Sequence, residues 1–295
     1  MRDFDSRFPS EAKCLAYLEK LKWGKVFSCR KCGGNSFWRL SDGVRKCRNC
    51  HMENRVTVGT IFQDSHLSLK TWFYAIWWIT SQKTGVSALG LKGVLGLGSY
   101  QTAWLMLQKI RKAMVITDRS KLTHEVEVDE TLMGGFTPGK RGRESEGKRL
   151  VVIAAEVKGK KIGRIRMSLI PDASSATLRS FIKANIELGT IIHTDGWRGY
   201  SQLDKDGFIH EQTTAESVGI EELMPRIHLV ASLLKRWILG TFQGKCDRKY
   251  LNGYLDEFVF RFNRRTSNVR GLIFFRVLTN TILTTPSTSS DIKQI

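Results

Sequence analysis

Two stretches of the sequence decide the fold: residues 124–133, HEVEVDETLM, and residues 189–200, GTIIHTDGWRGY. Acidic and apolar residues alternate along the first stretch, which is the pattern of a strand with two different faces. One face carries Glu125, Glu127 and Asp129, and the other carries Val126 and Val128. In the second stretch an apolar run ends at Asp195, just before a glycine. Each stretch therefore predicts a strand that presents an aspartate.

The segments between these two stretches extend the sheet. Residues 148–159 and 163–170 predict two further strands, and residues 176–187 predict a helix. This order indicates an α/β fold, and we place the catalytic domain at residues 121–275, followed by a frayed C-terminal tail at 276–295.

Two aspartates at the ends or edges of central strands suit a site that cuts phosphodiesters. Carboxylates can hold two Mg²⁺ ions about 3.5–4 Å apart, and a helix should supply the third ligand. His228 and Lys235 lie seven residues apart, two helical turns, so both point the same way, one toward the metal ions and one toward the DNA backbone. Because imidazole is a softer ligand than carboxylate, Mn²⁺ is the alternative ion. Glu257 is the competing third ligand, although its spacing equally fits a solvated acid on an amphipathic helix.

Upstream of this domain, four of the six cysteines form two CxxC pairs. Each pair can place two thiolates about 2.3 Å from a Zn²⁺ ion, and together they close a tetrahedral site without an open position. The sequence therefore predicts a structural zinc in a ribbon at residues 1–64, ligated by Cys29, Cys32, Cys47 and Cys50. The other two cysteines, Cys14 and Cys246, are interpreted as small buried hydrophobes.

Residues 65–120 change to helical periodicity and predict a helix-turn-helix. Gly96 and Gly98 flank a turn, Ser99 is the expected N-cap, and apolar residues then recur at helical spacing. A recognition helix needs one packed face and one face of long hydrogen-bond donors. The residues predicted to contact DNA are Gln101, Gln108, Lys109, Arg111 and Lys112. An ordinary helical hairpin that packs on the next domain is the alternative.

Composition supports a polyanionic partner. Lys and Arg number 47 against 28 Asp and Glu, a formal net charge of +19 that is spread along the whole chain. Double-stranded DNA is the expected partner. The chain shows neither an apolar leader nor a stretch of membrane-spanning length, so we expect no membrane contact and a cytoplasmic location.

Four blocks carry a resemblance to a known family: residues 59–114, VDETLMGG (128–135), HTDGWRGY (193–200) and LDEFVFRFNRR (255–265). They resemble the zinc-ribbon-bearing transposases of bacterial insertion sequences, the ISXO-like branch of the DDE class. The resemblance covers about Cys29 to Arg265. It implies a ribonuclease-H-like catalytic domain, Mg²⁺-dependent hydrolysis at the 3′ ends of the element, and strand transfer without a covalent protein–DNA intermediate.

The resemblance also implies roles for particular residues. Asp129 and Asp195 match the first two acidic positions of the family. The third position varies in this branch among Glu, Asn and His, with a Lys seven residues later, and His228 with Lys235 fits that pattern. Arg264 and Arg265 fall in a well-matched block and are expected to contact phosphates, with a basic helix end as the alternative.

The implied partners are the terminal repeats of the element and its target DNA. Because two ends need two active sites, we expect a homodimer or a larger assembly on DNA. Two other functions stay open. One is a catalytically inactive, transposase-derived DNA-binding protein, and the other is a ribonuclease-H-like nuclease that does not join strands.

Overall fold

A computed structural model describes the chain except residues 1, 25, 41–42, 116–118, 135–147, 214–223, 244–247 and 295. Cys246 lies outside the described residues. The chain divides into two compact units: Met1–Ile116 together with Ser267–Ile295, and Thr117–Thr266. In the part of the chain that the structure describes, no helix combines the length and apolar character needed to cross a membrane.

The first unit combines a small sheet with seven α-helices among its described residues. Three short antiparallel strands form the sheet in the order β1-β2-β3: β1 Phe37–Arg39, β2 Val44–Cys47 and β3 Glu53–Arg55. The helices are α1 Arg2–Arg7, α2 Glu11–Trp23, α3 Leu69–Ser81, α4 Ala88–Leu95, α5 Tyr100–Met114 and, from the C-terminal segment, α9 Arg270–Leu283. A short C-terminal helix, α10, follows at Ser289–Gln294.

The turn between α4 and α5 is built as the sequence predicts. Gly96 ends α4 in the left-handed region at φ 62°, a conformation that favours glycine. Ser99 then caps α5, since its side chain accepts a hydrogen bond from the amide of Thr102. The two helices pack against each other.

The C-terminal segment differs from the predicted tail. Helix α9 packs on α3 and α5, and Val277 and Leu278 are fully buried. The Asn280 side chain donates a 2.9 Å hydrogen bond to the carbonyl of Ala113, and the amide of Ile61 donates to the carbonyl of Thr281. Burial of its apolar face makes this segment part of the first unit, so the structure ends the second unit near residue 266 instead of 275.

The second unit is a mixed five-stranded sheet with helices on both faces, which confirms the predicted α/β class. Its order is β6-β5-β4-β7-β8, with β5 antiparallel to both neighbours and β4, β7 and β8 mutually parallel. The strands are β4 Glu125–Met133, β5 Arg149–Lys158, β6 Lys161–Ile170, β7 Ile191–Thr194 and β8 Ile209–Gln212. The helices are α6 Ser175–Asn185, α7 Pro225–Phe242 and α8 Leu251–Phe262.

Each face of this sheet has its own core. Val126 and Val128 pack with α6 residues such as Leu178 on one face. On the other face, β5 and β6 pack with apolar residues of α7 and α8, among them Ile227 and Val230. The acidic face of β4 is therefore the face on which α7 lies, and the two-faced strand is the one that the alternation in the sequence predicts.

Candidate active site

The two predicted aspartates lie on neighbouring parallel strands. The register pairs Val126 with Ile192 and Glu127 with His193. Continued by two residues, the same register sets Asp195, directly after β7, beside Asp129 on β4. Both side chains are partly exposed, so a ligand in solution can reach them.

His228 in the first turns of α7 approaches the same place. Its Nε2 atom lies 4.0 Å from Oδ2 of Asp129, with the imidazole 52% exposed and the carboxylate 18% exposed. The structure thus brings together a strand carboxylate and a helix imidazole that stand 99 positions apart in the chain. Lys235, two turns further along α7, is also exposed.

A backbone amide holds each aspartate in place. Oδ1 of Asp129 accepts a 2.7 Å hydrogen bond from the amide of Glu130, and Oδ1 of Asp195 accepts a 3.0 Å bond from the amide of Trp197. The indole of Trp197 is itself fixed, because Nε1 donates to the carbonyl of Ala173 at 2.8 Å. Such bonds limit the rotamers of both carboxylates.

Tyr200 ties the two aspartate-bearing motifs together, a role that the sequence did not reveal. Its hydroxyl donates a 2.7 Å hydrogen bond to Oε2 of Glu130, and the ring is fully buried. Burial raises the pKa of Tyr200 well above its usual value, and the nearby carboxylates of Glu130, Asp129 and Asp195 raise it further. Tyr200 thus stays a neutral donor beneath the carboxylates. In the sequence, the only indication of this role is that Tyr200 lies in the block 193–200.

The competing third ligand, Glu257, has a different environment. Its side chain is 1% exposed and pairs with Arg261 one turn later on α8, at 2.8 Å. A buried carboxylate already committed to a guanidinium is not presented to a metal ion in solution. The geometry therefore favours His228.

The donor set of this site fits a divalent cation. Carboxylate oxygens suit Mg²⁺ and Mn²⁺, and an imidazole nitrogen is acceptable to Mn²⁺ in particular. The three side chains are not gathered as tightly as a closed metal site. Among the described residues, only the four cysteines form a group of three or more candidate ligands within 4.8 Å of one another.

Those four cysteines form the predicted zinc site. Sγ of Cys29 lies 3.6 Å from Sγ of Cys50, and Sγ of Cys32 lies 3.5 Å from Sγ of Cys47. Four thiolates around one Zn²⁺ ion are expected about 3.8 Å apart, since each Zn–S bond is about 2.3 Å. The geometry thus fits a structural Zn²⁺ ion.

The predicted DNA-contacting residues on α5 fall into two groups. Gln101 and Lys112 are exposed and Lys109 is partly exposed, whereas Gln108 is 8% and Arg111 only 1% exposed. The prediction for Gln108 and Arg111 needs correction, because α4 and α9 cover more of α5 than one apolar stripe suggests. Lys112 also donates a 2.6 Å hydrogen bond to Oγ of Ser287.

Arg264 and Arg265 make contacts within the second unit. The Arg264 guanidinium stacks 3.9 Å from the ring of Phe260 and donates to its carbonyl. Arg265 donates to the carbonyls of Ile162 and Gly163 at β6, the outermost strand. These contacts give the two arginines a structural role, and Arg265 covers the edge of the sheet. The sequence alone could not distinguish this role from the expected contacts with DNA phosphates.

Comparison with known families matches both halves of the chain. The ISXO2-like transposase domain matches residues 121–263, and the transposase zinc-ribbon domain matches residues 9–53. Together they cover well over half of the sequence, in the order ribbon and then sheet domain. By class the protein is a transposase. It belongs to the ISXO2-like transposases that carry an N-terminal zinc ribbon, which confirms the family predicted from the sequence.

One curated relative is similar along most of its length. The "uncharacterized protein in transposable element ISH50" of Halobacterium salinarum is 23% identical over 278 residues, 86% of this chain and 91% of the relative.

Two solved structures show weaker likeness. The catalytic core domain of BIV integrase is 15% identical, covering 52% of this chain and 94% of that chain, with a TM-score of 0.34. A simian T-cell lymphotropic virus intasome in complex with PP2A regulatory subunit B56 gamma is 14% identical, covering 56% and 63%, with a TM-score of 0.29.

Proposed function

We propose that this transposase binds the ends of its insertion sequence and uses divalent metal ions to cleave DNA 3′ ends and transfer the strands. The observation that carries the proposal is the approach of His228 Nε2 to 4.0 Å from Asp129 Oδ2 on the central strand β4, with β7, which ends just before Asp195, paired parallel beside it. We further propose that the second unit is ribonuclease-H-like, because its first strand is central and β7 lies parallel beside it.

The side chains have separate roles in this proposal. Asp129, Asp195 and His228 would hold Mg²⁺ or Mn²⁺, which when bound activates a water or a 3′-hydroxyl and stabilises the leaving oxygen. The exposed ammonium of Lys235, two turns along the helix from His228, binds the DNA backbone and helps to orient the scissile phosphate. Tyr200 ties the turn that follows Asp195 to β4 by its bond to Glu130.

DNA-end recognition is assigned to the first unit. Helices α4 and α5 with their Gly96–Ser99 turn have the order of a helix-turn-helix, and the N-terminal residues of a recognition helix are those that contact base edges. Gln101 is exposed in that first turn. Lys109 and Lys112 are the remaining candidates for phosphate contacts. Two ends require two active sites, so a homodimer or larger assembly is proposed on DNA.

A second candidate is a transposase-derived DNA-binding protein that no longer cuts. The observation that favours it is the identity of the third ligand: His228 is neutral when it binds a metal, so the site has one negative charge fewer than three carboxylates. Such a protein would bind element ends as tightly as an active transposase does, but it would leave the DNA uncut.

The test is cleavage of a labelled duplex that carries the element's own ends, with the zinc-loaded full chain in Mg²⁺ or Mn²⁺. We compare the wild type with Asp195→Ala and His228→Ala, and with Glu187→Gln, an exposed carboxylate after α6, as the matched control. Cutting at 3′ ends that persists only in the wild type and the control supports the enzyme. Tight binding by every protein without cutting by any supports the second candidate.

A further inference from the structure

Glu127, two positions before Asp129, is almost entirely buried, and its carboxylate accepts hydrogen bonds from one helix end. It is 3% exposed. Its Oε2 accepts hydrogen bonds from the backbone amides of Arg226 and Ile227, both at 3.0 Å. Its Oε1 accepts a 2.6 Å bond from Nη1 of Arg226. One strand carboxylate therefore holds the first turn of α7 through backbone and side chain together.

Helix α7 has no cap from its own sequence. The residue at its N-cap is Met224, at φ 47° in the left-handed region, and it makes no side-chain capping bond, with Pro225 next in the chain. The first amides of any helix lack partners within the helix, and their partial positive charge attracts an anion. Glu127 supplies both the acceptor and the negative charge from another element of the fold.

The anchored turn leads directly to the candidate metal ligand. His228 follows Ile227, and its amide makes a 3.1 Å hydrogen bond to the carbonyl of Met224. Residues 127 and 129 project from the same face of β4, so one holds the helix backbone while the other lies 4.0 Å from the imidazole. The hydrogen bond between Glu127 and the amide of Ile227 thus fixes the distance between β4 and α7 one residue before His228.

We propose that Glu127 is the positioning residue of this active site: by capping α7 from β4 it fixes His228 beside Asp129. The proposal rests on the proposed function, in which both of those residues hold a metal ion. Glu127 itself does not touch the ion. Its effect on metal binding passes through the orientation of its neighbour, as in other sites where an outer residue orients a ligand.

The chain offers a matched control in Glu156. This residue is also 3% exposed, lies on the adjacent strand β5 opposite Val126, and accepts bonds from Arg164 and from the amide of Thr123. It makes no observed contact with α7. Glu156→Gln therefore removes a buried charge with a guanidinium partner while the cap of α7 stays intact.

Two measurements on the zinc-loaded full chain test the proposal: amide hydrogen exchange of the segment 224–230 without added metal, and calorimetric binding of Mn²⁺ alone. The variants are Glu127→Gln, Glu156→Gln and His228→Ala. In Glu127→Gln an amide NH2 group replaces one carboxylate oxygen, and this donor cannot accept the hydrogen bond from the guanidinium of Arg226. We expect faster exchange in this segment and Mn²⁺ binding about tenfold weaker, the size of effect typical for loss of an outer residue. Glu156→Gln should change neither quantity, even where both variants lower the melting temperature.

Separate results identify which claim fails. Unchanged exchange in Glu127→Gln overturns the cap. Faster exchange with unchanged Mn²⁺ affinity, when His228→Ala does weaken Mn²⁺ binding, overturns the link from cap to ligand. If His228→Ala itself leaves Mn²⁺ affinity unchanged, the proposed role of His228 fails, and exchange still reports on the cap because no metal is present. Arg226→Met removes the side-chain bond and keeps both backbone bonds, so its exchange rate and its Mn²⁺ affinity should lie between those of the wild type and Glu127→Gln. This graded result would show that the effect of Glu127→Gln does not come from misfolding.

Discussion

The Nε2 atom of His228 lies 4.0 Å from Oδ2 of Asp129. This separation is too long for a hydrogen bond. It lies between the separations of about 3.0 Å and about 4.2 Å that adjacent and opposite donor atoms have on one octahedral ion with bonds of about 2.1 Å. The pair joins the middle strand of the sheet to a helix and, with Asp195 directly after the neighbouring strand, defines the candidate active site.

Loss of a strand carboxylate should separate cutting from binding. We predict that Asp129→Ala and Asp195→Ala each reduce cleavage of element ends by at least about a hundredfold, since the ions lose a ligand and transition-state charge goes unstabilised. End binding should remain within about twofold, because the reading residues are assigned to the other unit. Gel-shift and cleavage assays on the same preparations check this. An equal loss of end binding in these variants would contradict the assignment of cutting to the second unit and of end recognition to the first.

The metal preference should follow the third ligand. A carboxylate at position 228 is harder and adds a negative charge, so His228→Glu should shift half-maximal cutting to lower Mg²⁺ concentrations relative to Mn²⁺. His228→Ala should need more of either ion. Titration of cleavage rate against each metal measures the shift. The idea is wrong if His228→Glu and His228→Ala have the same metal dependence.

Removal of zinc should unfold the ribbon. Strands β1 to β3 hold few apolar residues, and structural zinc contributes about 10–16 kcal/mol to the folding of zinc-finger peptides. We predict that a strong chelator abolishes the ordered circular dichroism signal of this region and weakens end binding. Re-addition of Zn²⁺ should restore both. Cys14→Ala, outside the site and buried, serves as the control and should keep its zinc. An unchanged spectrum after complete zinc removal would refute a structural role for the metal.

The ion pairs of Asp206 should make stability depend on pH. Arg179 and then Lys183 hydrogen-bond its carboxylate at 2.5–2.8 Å and lower its pKa. A carboxyl with a depressed folded pKa stabilises the fold fully above its unfolded pKa of about 3.9, and this stabilisation is lost as pH falls below that value. Asp206→Asn should therefore lower the urea midpoint at pH 7, and the gap to the wild type should shrink below about pH 4. Glu187→Gln should have the same urea midpoint as the wild type at every pH. A difference in midpoint between Asp206→Asn and the wild type that does not change with pH would contradict this prediction.

The sequence predicted the parts of the site that depend on local pattern. Alternation along 124–133 placed Asp129 on the same face of a strand as Glu125 and Glu127, opposite Val126 and Val128, and the apolar run before Asp195 marked a strand end. Both follow from the two-residue period of a strand. The choice of His228 over Glu257 came from family resemblance, and the burial of Glu257 against Arg261 now gives it a physical reason.

The sequence did not predict contacts between distant segments. The sequence pattern predicts an open face of α5 for Gln108 and Arg111 because its partner α9 lies more than 150 residues later, across the predicted boundary between the catalytic domain and the tail. The bond from Tyr200 to Glu130 and the cap that Glu127 gives to α7 are likewise long-range, and no local periodicity encodes them. Such contacts become visible only once the strands are paired.

The most direct test of the central claim is anomalous diffraction from crystals of the zinc-loaded chain soaked in Mn²⁺. The account predicts a manganese peak within about 2.0–2.4 Å of carboxylate oxygens of both Asp129 and Asp195, with Nε2 of His228 completing the contacts, distinct from the zinc peak at the four cysteines. Manganese bound elsewhere, or a fully occupied ion on the two aspartates with His228 turned away, would contradict it.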